Sequence, residues 1–231
     1  MSEEKGRSQS EIEYYRKKFF LSLLVPVIFV AVLWLVKISE LLFNADFSPM
    51  GIYPLEMKGI PGIFLSPFVH ENFKHLISNS IPLLFLGTGL FYFYSEVAAK
   101  VSLWIYLLTG LAVWLGGREA WHIGSSGIVY GLASFLFFSG IIRKYYRLVA
   151  LSLLVVFMYG SMVWGMVPEL YREVSWESHM LGFAVGTILA VIYRKQGPQT
   201  PVVEWMEDNY VEEDIENAGV DNDETVSQPE N

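Results

Sequence analysis

Six long apolar stretches, each poor in charged residues, constrain this chain more than any other feature. They lie at about 19–36, 75–95, 101–116, 124–142, 148–167 and 178–193. A helix needs about 20 apolar residues to cross the hydrocarbon core of a bilayer, and these stretches approach or reach that length. A soluble protein could bury one such helix, but six in series leave too little polar surface to cover them. The sequence therefore predicts an all-α membrane protein with six transmembrane helices.

The charged residues divide the chain into a membrane domain and two polar ends, both of which we expect to be disordered. Residues 1–13 form a polar N-terminal tail, residues 14–195 contain the six apolar stretches, and residues 196–231 form an acidic C-terminal tail. The acidic tail holds eleven of the 24 acidic residues and no basic residue. Its composition is typical of a disordered segment. The rest of the chain carries 16 basic and 13 acidic residues without a basic stripe, which argues against a nucleic-acid partner.

Lysine and arginine residues near the ends of the stretches predict the orientation in the membrane. On one side of a six-span chain they lie before stretch one, after stretches two and four, and after stretch six; these residues are Arg16, Lys17, Lys18, Lys100, Arg143, Lys144, Arg147, Arg194 and Lys195. We therefore expect both termini to be cytosolic and the loops at 37–74 and 168–177 to face outward. The first loop is either an ordinary extracellular loop or lies partly in the membrane interface. The predicted location is the plasma (inner) membrane of a prokaryotic cell, in contact with lipid.

The sequence Gly124-Ser125-Ser126-Gly127 lies at the start of the fourth stretch. Its glycines predict a turn followed by the N-terminus of a helix, where unpaired N–H groups and the helix dipole stabilise negative charge. Ser126 at such a position could act as a nucleophile whose oxyanion is stabilised by the backbone. Taken alone, these small residues are more typical of helix packing in membranes.

Two other stretches carry polar groups that could serve such a nucleophile. His75 and Asn79 are one helical turn apart on the second stretch, so both face the same side. The asparagine amide suits an oxyanion hole, although an interhelical hydrogen bond is an equally good explanation. His179 on the sixth stretch could accept the proton of Ser126 as a general base. We expect Glu177 to be exposed, and we therefore predict a Ser–His dyad rather than a triad.

Small residues recur at a spacing of four on the fourth and sixth stretches. Gly127 and Gly131 lie on one, and Gly182 and Gly186 lie on the other. Such spacing allows two membrane helices to approach closely through their backbones. Close contact between these two helices would bring the serine to the histidine, so the packing and catalytic interpretations support each other.

The motifs together resemble those of the rhomboid family of intramembrane serine proteases. They are His70-x-x-x-x-His75-x-x-x-Asn79, Gly124-x-Ser126-Gly127-x-x-Tyr130 and His179-x-x-Gly182-x-x-x-Gly186, and they cover about residues 60–195. The resemblance implies a six-helix rhomboid-like bundle in which Ser126 is the nucleophile and His179 is the general base.

The same resemblance implies roles for the residues around the dyad. His75, Asn79 and the backbone N–H of Ser126 would form the oxyanion hole. Tyr130 would stack beside the histidine, and His70 would keep the site hydrated or ordered. The glycines of the two motifs, Gly124, Gly127, Gly131, Gly182 and Gly186, would support the site and allow the helices to pack.

The resemblance also implies what the protein acts on. The family cleaves single-pass transmembrane proteins in or near the membrane, without a cofactor or metal. We hypothesise that a substrate helix passes the fifth stretch, whose Phe157, Met158 and Trp164 would form a mobile gate. Many family members carry a Trp-Arg pair in the first loop, which is absent from residues 37–74. The alternative function is that of a catalytically silent rhomboid-like chaperone or adaptor that binds membrane helices.

Other classes of intramembrane protease fit the sequence less well. A zinc protease needs His-Glu-x-x-His, whereas His70 and His75 are five residues apart. On one helix they would point about 140° apart and could not hold one metal ion. The chain contains no cysteine, which excludes thiolate ligands and cysteine nucleophiles. The stretches also lack the two carboxylates of an aspartyl protease, and we expect neither a metal nor a cofactor.

Overall fold

The computed structural model of this protein describes residues 2–168 and 175–199. Its α-helices are α1 (Ser2–Leu42), α2 (Gly62–Leu65), α3 (Phe73–Phe93), α4 (Ala98–Gly116), α5 (Ser126–Arg143), α6 (Tyr146–Tyr159) and α7 (Trp176–Ile192). Short 3-10 helices lie at Ser48–Met50, Met57–Gly59, Ser66–Phe68, Gly160–Met166 and Tyr193–Lys195. The described residues contain no β-strand, and their isolated β-bridge joins Ile52 to His122.

Six helical segments among the described residues are long and apolar enough to cross a membrane. They are Gln9–Leu42, Phe73–Phe93, Ala98–Gly116, Ser126–Arg143, Tyr146–Met166 and Trp176–Lys195. This finding confirms the predicted all-α architecture with six spans. Large apolar side chains such as Phe20 and Phe157 are exposed on the outside of these helices. Such exposure is expected where the surrounding solvent is lipid rather than water.

The structure of the N-terminal segment differs from the sequence prediction. α1 begins at Ser2, so the helix includes nearly all of the polar segment 1–13 that we expected to be disordered. Seven of the 13 residues in this segment are glutamate, lysine, arginine or glutamine, which are good helix formers and can extend the apolar span that follows. Residues 200–231, which make up most of the predicted acidic tail, lie outside the described residues.

α5 is the central helix of the bundle. Of the 18 residues in its most apolar stretch, 72% are buried, compared with 22% for the corresponding stretch of α1. It packs against α3, α4, α6 and α7. Fully buried side chains include Phe135 and Leu136 of α5 itself, Leu86 of α3 and Ile105 of α4. The helix that carries Ser126 is therefore enclosed by protein rather than lipid.

Glycines allow α5 and α7 to approach through their backbones. A Cβ added at Gly182 would overlap the carbonyl oxygen of Gly127, and one added at Gly186 would overlap that of Gly131. The sequence predicted close contact at these same glycines. Gly182 contacts Gly127, and four residues later Gly186 contacts Gly131. The two helices therefore run parallel and begin at the same end of the bundle.

The segment between α1 and α3 covers this end of the bundle. The backbone of Ile52 exchanges hydrogen bonds with His122, 2.9 Å and 2.8 Å long, just before the start of α5. The N–H of Gly124 donates to the carbonyl of Ser66 over 2.9 Å. The segment therefore holds the turn that precedes Ser126 in place.

Two aromatic residues of α4 fasten the segment that lacks the Trp-Arg pair of many rhomboids. Trp114 Nε1 donates to the carbonyl of Glu56, and the carbonyl of Trp114 accepts from the N–H of Leu55. The hydroxyl of Tyr106 donates to the carbonyl of Phe64. The side chains of Leu55 and Phe64 remain exposed. Exposed apolar residues on a well-anchored loop favour a position in the membrane interface over an ordinary aqueous loop.

Arg143 closes the opposite end of the bundle. This buried residue donates hydrogen bonds of 2.7–2.8 Å to the carbonyls of Tyr193, Arg194 and Gln196. Its guanidinium also lies 5.4 Å from the ring centre of Tyr94. The side chain therefore satisfies carbonyls beyond the C-terminal end of α7 that have no partner within that helix.

We predict that Arg143→Gln lowers the free energy of unfolding by about 2–3 kcal/mol, because three carbonyls lose a charged donor. Unfolding in detergent micelles with increasing denaturant would measure the change. Arg147→Gln is the matched control, because Arg147 is exposed and its Nε donates to the neighbouring Tyr146 hydroxyl. Equal stability of the two variants would contradict the assigned role of Arg143.

Candidate active site

Ser126 and His179 meet across the contact between α5 and α7. Ser126 is the first residue of α5, and His179 lies in the first turn of α7. The Nε2 atom of His179 is 2.8 Å from the Oγ atom of Ser126, which is a hydrogen-bond distance. Both side chains are buried. The parallel packing of the two helices thus brings together the two residues that the sequence singled out.

The other ring nitrogen of His179 fixes the position of the imidazole proton. Nδ1 lies 2.9 Å from the carbonyl oxygen of Gly165. A carbonyl oxygen can only accept a hydrogen bond, so in the neutral imidazole Nδ1 carries the proton. Nε2 then presents a lone pair to the hydroxyl of Ser126, which is the tautomer that a general base requires.

Tyr130 supports the ring of His179. The two rings are stacked with their centres 4.2 Å apart and their planes 12° from parallel. The hydroxyl of Tyr130 donates to the carbonyl of Met162 over 2.6 Å. Sequence reasoning identified Tyr130, but it missed Gly165 and Met162, which contribute backbone carbonyls with no side-chain signature.

His75 and Asn79 lie against the turn that precedes Ser126. Gly124 has a φ of +101°, and a Cβ there would lie 2.7 Å from His75 Cε1 and 3.7 Å from Asn79 Nδ2. Both the left-handed backbone and the lack of space therefore require glycine at this position. Asn79 is buried, and among the described residues its Nδ2 has no hydrogen-bond partner. Unsatisfied buried donors are rare in native proteins, so this amide is a candidate for binding a ligand group.

The side chain of Ser125 contacts a different histidine from that of Ser126. Its Oγ lies 3.3 Å from Nε2 of His70, and both residues are buried. Burial and, to a smaller extent, the charge of the neighbouring His75 together lower the pKa of His70 to about 4. His70 is therefore neutral at pH 7. The hydroxyl of Ser125 contacts His70 rather than His179.

His70 and His75 are closer than the sequence argument assumed. α3 begins at Phe73, so His70 lies before the helix, and the two ring centres are 5.1 Å apart. The expectation that the two side chains point apart on one helix is therefore wrong. The part of the chain that the structure describes holds no cluster of three His, Cys, Asp or Glu side chains suited to a metal ion.

A second polar cluster fastens the start of α7 to the segment before α5. His122 is buried, with Nδ1 2.6 Å from the Oγ of Ser175 and Nε2 3.0 Å from the carbonyl of Arg118. Burial lowers the pKa of His122. Ser175 is the N-cap of α7 and accepts a 3.4 Å hydrogen bond from the N–H of Ser178. This cluster sets the position of the turn that carries His179.

Glu177 is buried, which corrects the expectation that it is exposed. Its exposed fraction is 3%, and Nε of Arg118 lies 3.5 Å from its Oε1. The positive end of the α7 dipole stabilises a carboxylate in the first turn, which offsets part of the cost of burying it. The hydrogen-bond partner of His179 Nδ1 is nevertheless the carbonyl of Gly165 rather than this carboxylate.

Comparison with known proteins agrees with this architecture. The family model described as Rhomboid domain matches residues 59–196. "Uncharacterized protein Rv1337" of Mycobacterium tuberculosis and "Uncharacterized protein Mb1372" of Mycobacterium bovis are each 36% identical over 178 residues, which cover 71% of this chain and 72% of the relative. "Uncharacterized protein ML1171" of Mycobacterium leprae is 31% identical over 173 residues, which cover 71% of this chain and 68% of the relative. The chain therefore belongs to the rhomboid family, and with its six spans it is a multi-pass integral membrane protein.

We predict that Gly182→Ala lowers the reactivity of Ser126 toward a fluorophosphonate by about 10²-fold, the typical cost of a misplacement of about 1 Å. The added methyl group would push α7 away from the carbonyl of Gly127 and move His179 from the serine. The labelling rate of purified protein in detergent measures the effect.

Gly116→Ala is the control for this prediction. Gly116 ends α4, and a Cβ added there meets no described atom within 4 Å. Wild-type reactivity in both variants would show that the approach of α5 and α7 does not align the dyad.

Proposed function

We propose that this protein is an intramembrane serine endopeptidase that cleaves transmembrane proteins in or near the membrane. The observation that carries the proposal is the 2.8 Å distance between His179 Nε2 and Ser126 Oγ. The other ring nitrogen of this histidine, Nδ1, is hydrogen-bonded to the carbonyl of Gly165. A serine hydroxyl is a weak nucleophile until a neighbouring base accepts its proton. Membership of the rhomboid family, which includes intramembrane proteases and inactive members, supports the proposal.

The first half of the proposed reaction forms an acyl-enzyme. Ser126 Oγ attacks the carbonyl carbon of the scissile peptide bond while its proton passes to Nε2 of His179. The resulting oxyanion is stabilised by the amide of Asn79, the side chain of His75 and the backbone N–H of Ser126. The C–N bond then breaks, and the imidazolium of His179 donates its proton to the leaving amine.

The second half of the reaction releases the acyl group. A water molecule gives a proton to His179 and attacks the ester carbonyl, and collapse of the second tetrahedral intermediate returns the proton to Ser126. These steps require no metal or cofactor. The buried Asn79 amide lies against Gly124, two residues before Ser126, and its Nδ2 has no hydrogen-bond partner among the described residues, so the oxyanion would supply the acceptor that this donor lacks.

The proposed substrates are single-pass transmembrane proteins. A helix hides its peptide bonds in internal hydrogen bonds, so the substrate must unwind locally before Ser126 can attack. We place substrate access beside the fifth span, where Phe157 and Met158 of α6 and Trp164 of the following 3-10 helix are exposed as a gate would require. The predicted orientation puts both termini in the cytosol, and the mycobacterial relatives support a bacterial plasma membrane.

Ser126→Ala should abolish cleavage because it removes the nucleophile, while folding and membrane insertion are retained. The assay is cleavage of tagged single-pass membrane proteins by purified protein in liposomes. Ser125→Ala is the matched control and should have a small effect, because the Oγ of Ser125 faces His70. Equal inactivity of both variants would undermine the choice of nucleophile.

A wild-type protein that binds transmembrane helices but neither cleaves them nor reacts with fluorophosphonates would support the chaperone or adaptor function.

Asn79→Ala should raise the barrier to cleavage by about 2–4 kcal/mol, because it would remove one donor from the oxyanion hole. The loss should fall on kcat rather than KM, because the amide binds a charge that develops only in the transition state. Steady-state cleavage in liposomes separates the two constants. Unchanged kcat would remove Asn79 from the proposed oxyanion hole.

A further inference from the structure

The fifth span reaches the dyad through its irregular end. α6 stops at Tyr159, and the chain continues as a 3-10 helix from Gly160 to Met166. Residues 162–166 of this segment supply two carbonyls to the site. Gly165 accepts from His179 Nδ1 over 2.9 Å, and Met162 accepts from the Tyr130 hydroxyl over 2.6 Å.

We propose that residues 162–166, here called the imidazole latch, position His179 as the base by holding its proton on Nδ1. This proposal rests on the proposed protease function and assigns to the fifth span a part of the reaction itself. A serine protease triad fixes the tautomer of its histidine with a carboxylate. The imidazole latch performs the same task with a neutral carbonyl, which avoids burying a second charge beside the dyad.

Two contacts together restrain the imidazole. The hydrogen bond to Gly165 opposes rotation of the ring about its Cβ–Cγ bond, because rotation would leave Nδ1 without an acceptor. The stacked ring of Tyr130 blocks one face of the imidazole, and the carbonyl of Met162 in turn holds Tyr130. Both restraints therefore depend on the imidazole latch remaining against α5 and α7.

The approach of the latch to His179 depends on glycine at position 165. A Cβ there would overlap the hydroxyl of Tyr130 and would lie 3.1 Å from His179 Nδ1. Gly160, at the start of the same 3-10 helix, lacks this restriction. A Cβ at Gly160 would meet Cγ1 of Val156 at 3.6 Å, an ordinary contact. The two glycines thus provide a matched pair of sites for the same substitution.

The latch also links substrate access to the chemistry. It is continuous with α6, so an outward movement that carries the latch away would break both hydrogen bonds and release His179. Displacement of α6 alone, with residues 162–166 left in place, would open the side of the bundle and keep the base aligned. A productive opening is therefore confined to the part of the fifth span that precedes the latch, so Phe157 and Met158 would move as the gate while Trp164 stays with the latch.

The test compares Gly165→Ala with Gly160→Ala in the full-length protein. We expect Gly160→Ala to react with a fluorophosphonate as fast as the wild type, and Gly165→Ala to react on the order of 10²-fold more slowly. Tyr130→Phe removes both the hydrogen bond to Met162 and the hydroxyl that the new methyl group overlaps, so this single variant is the reference for the double variant. We expect Gly165→Ala to slow the reaction by a smaller factor in the Tyr130→Phe protein than in the wild type, and an equal or larger factor would overturn the proposed contact.

The position of the imidazole proton provides a second readout that a merely structural role for Gly165 would not change. It can be measured by 15N NMR of histidine-labelled protein in detergent, with His179→Ala identifying the signal. We expect the proton on Nδ1 in the wild type and in Gly160→Ala. In Gly165→Ala it should be distributed over both nitrogens.

The two readouts separate failure of the latch from failure of the proposed function. If the wild type reacts and Gly165→Ala reacts as fast as Gly160→Ala, the latch is overturned while the protease proposal stands. If the wild type does not react, the protease proposal fails and the NMR measurement decides the latch. A proton on Nδ1 that is lost from Gly165→Ala would then support the latch, and a wild-type proton on Nε2 would overturn it.

Discussion

The backbone contact between α5 and α7 is the constraint on which the rest of this structure depends. Glycine at positions 127, 131, 182 and 186 lets the two parallel helices touch without intervening side chains. This closeness, rather than any feature of the dyad itself, brings Ser126 within 2.8 Å of His179. The surrounding helices enclose α5, so the polar groups buried there depend largely on partners within the protein. The close packing of these two helices therefore explains why Ser126 and His179 lie within hydrogen-bond distance of each other.

The site gathers at one end of the bundle, where α3, α5 and α7 begin and the fifth span ends. Each helix contributes chemistry suited to its terminus: the start of α5 presents backbone N–H groups around Ser126, and the end of the fifth span presents carbonyls to His179 and Tyr130. An acidic third residue is unnecessary in this arrangement, because a carbonyl can orient the imidazole without the cost of another buried charge. At the opposite end, Arg143 donates to three carbonyls just beyond α7 and so fastens the end of that helix to α5.

The sequence predicts the parts of the fold and site that depend on strong local patterns. Six charge-poor stretches had few alternatives to spanning a membrane. The motifs singled out Ser126 and His179, whose side chains lie together in the structure, because residue type and glycine spacing carry that information. Other features depend on details that a pattern does not contain. Asn72 caps α3 by accepting from the N–H of His75, which leaves His70 outside the helix. The burial of Glu177 follows from tertiary packing, and Gly165 acts through a carbonyl that every residue possesses.

The most direct test of the central claim is to map the adduct that a fluorophosphonate forms with the folded wild-type protein, by mass spectrometry of its proteolytic peptides. The account predicts a single modified residue, Ser126, and loss of this adduct from His179→Ala, because the serine reacts only when the neighbouring imidazole accepts its proton. An adduct on Ser125, an adduct on Ser126 that survives the loss of His179, or no adduct on folded protein would contradict the account.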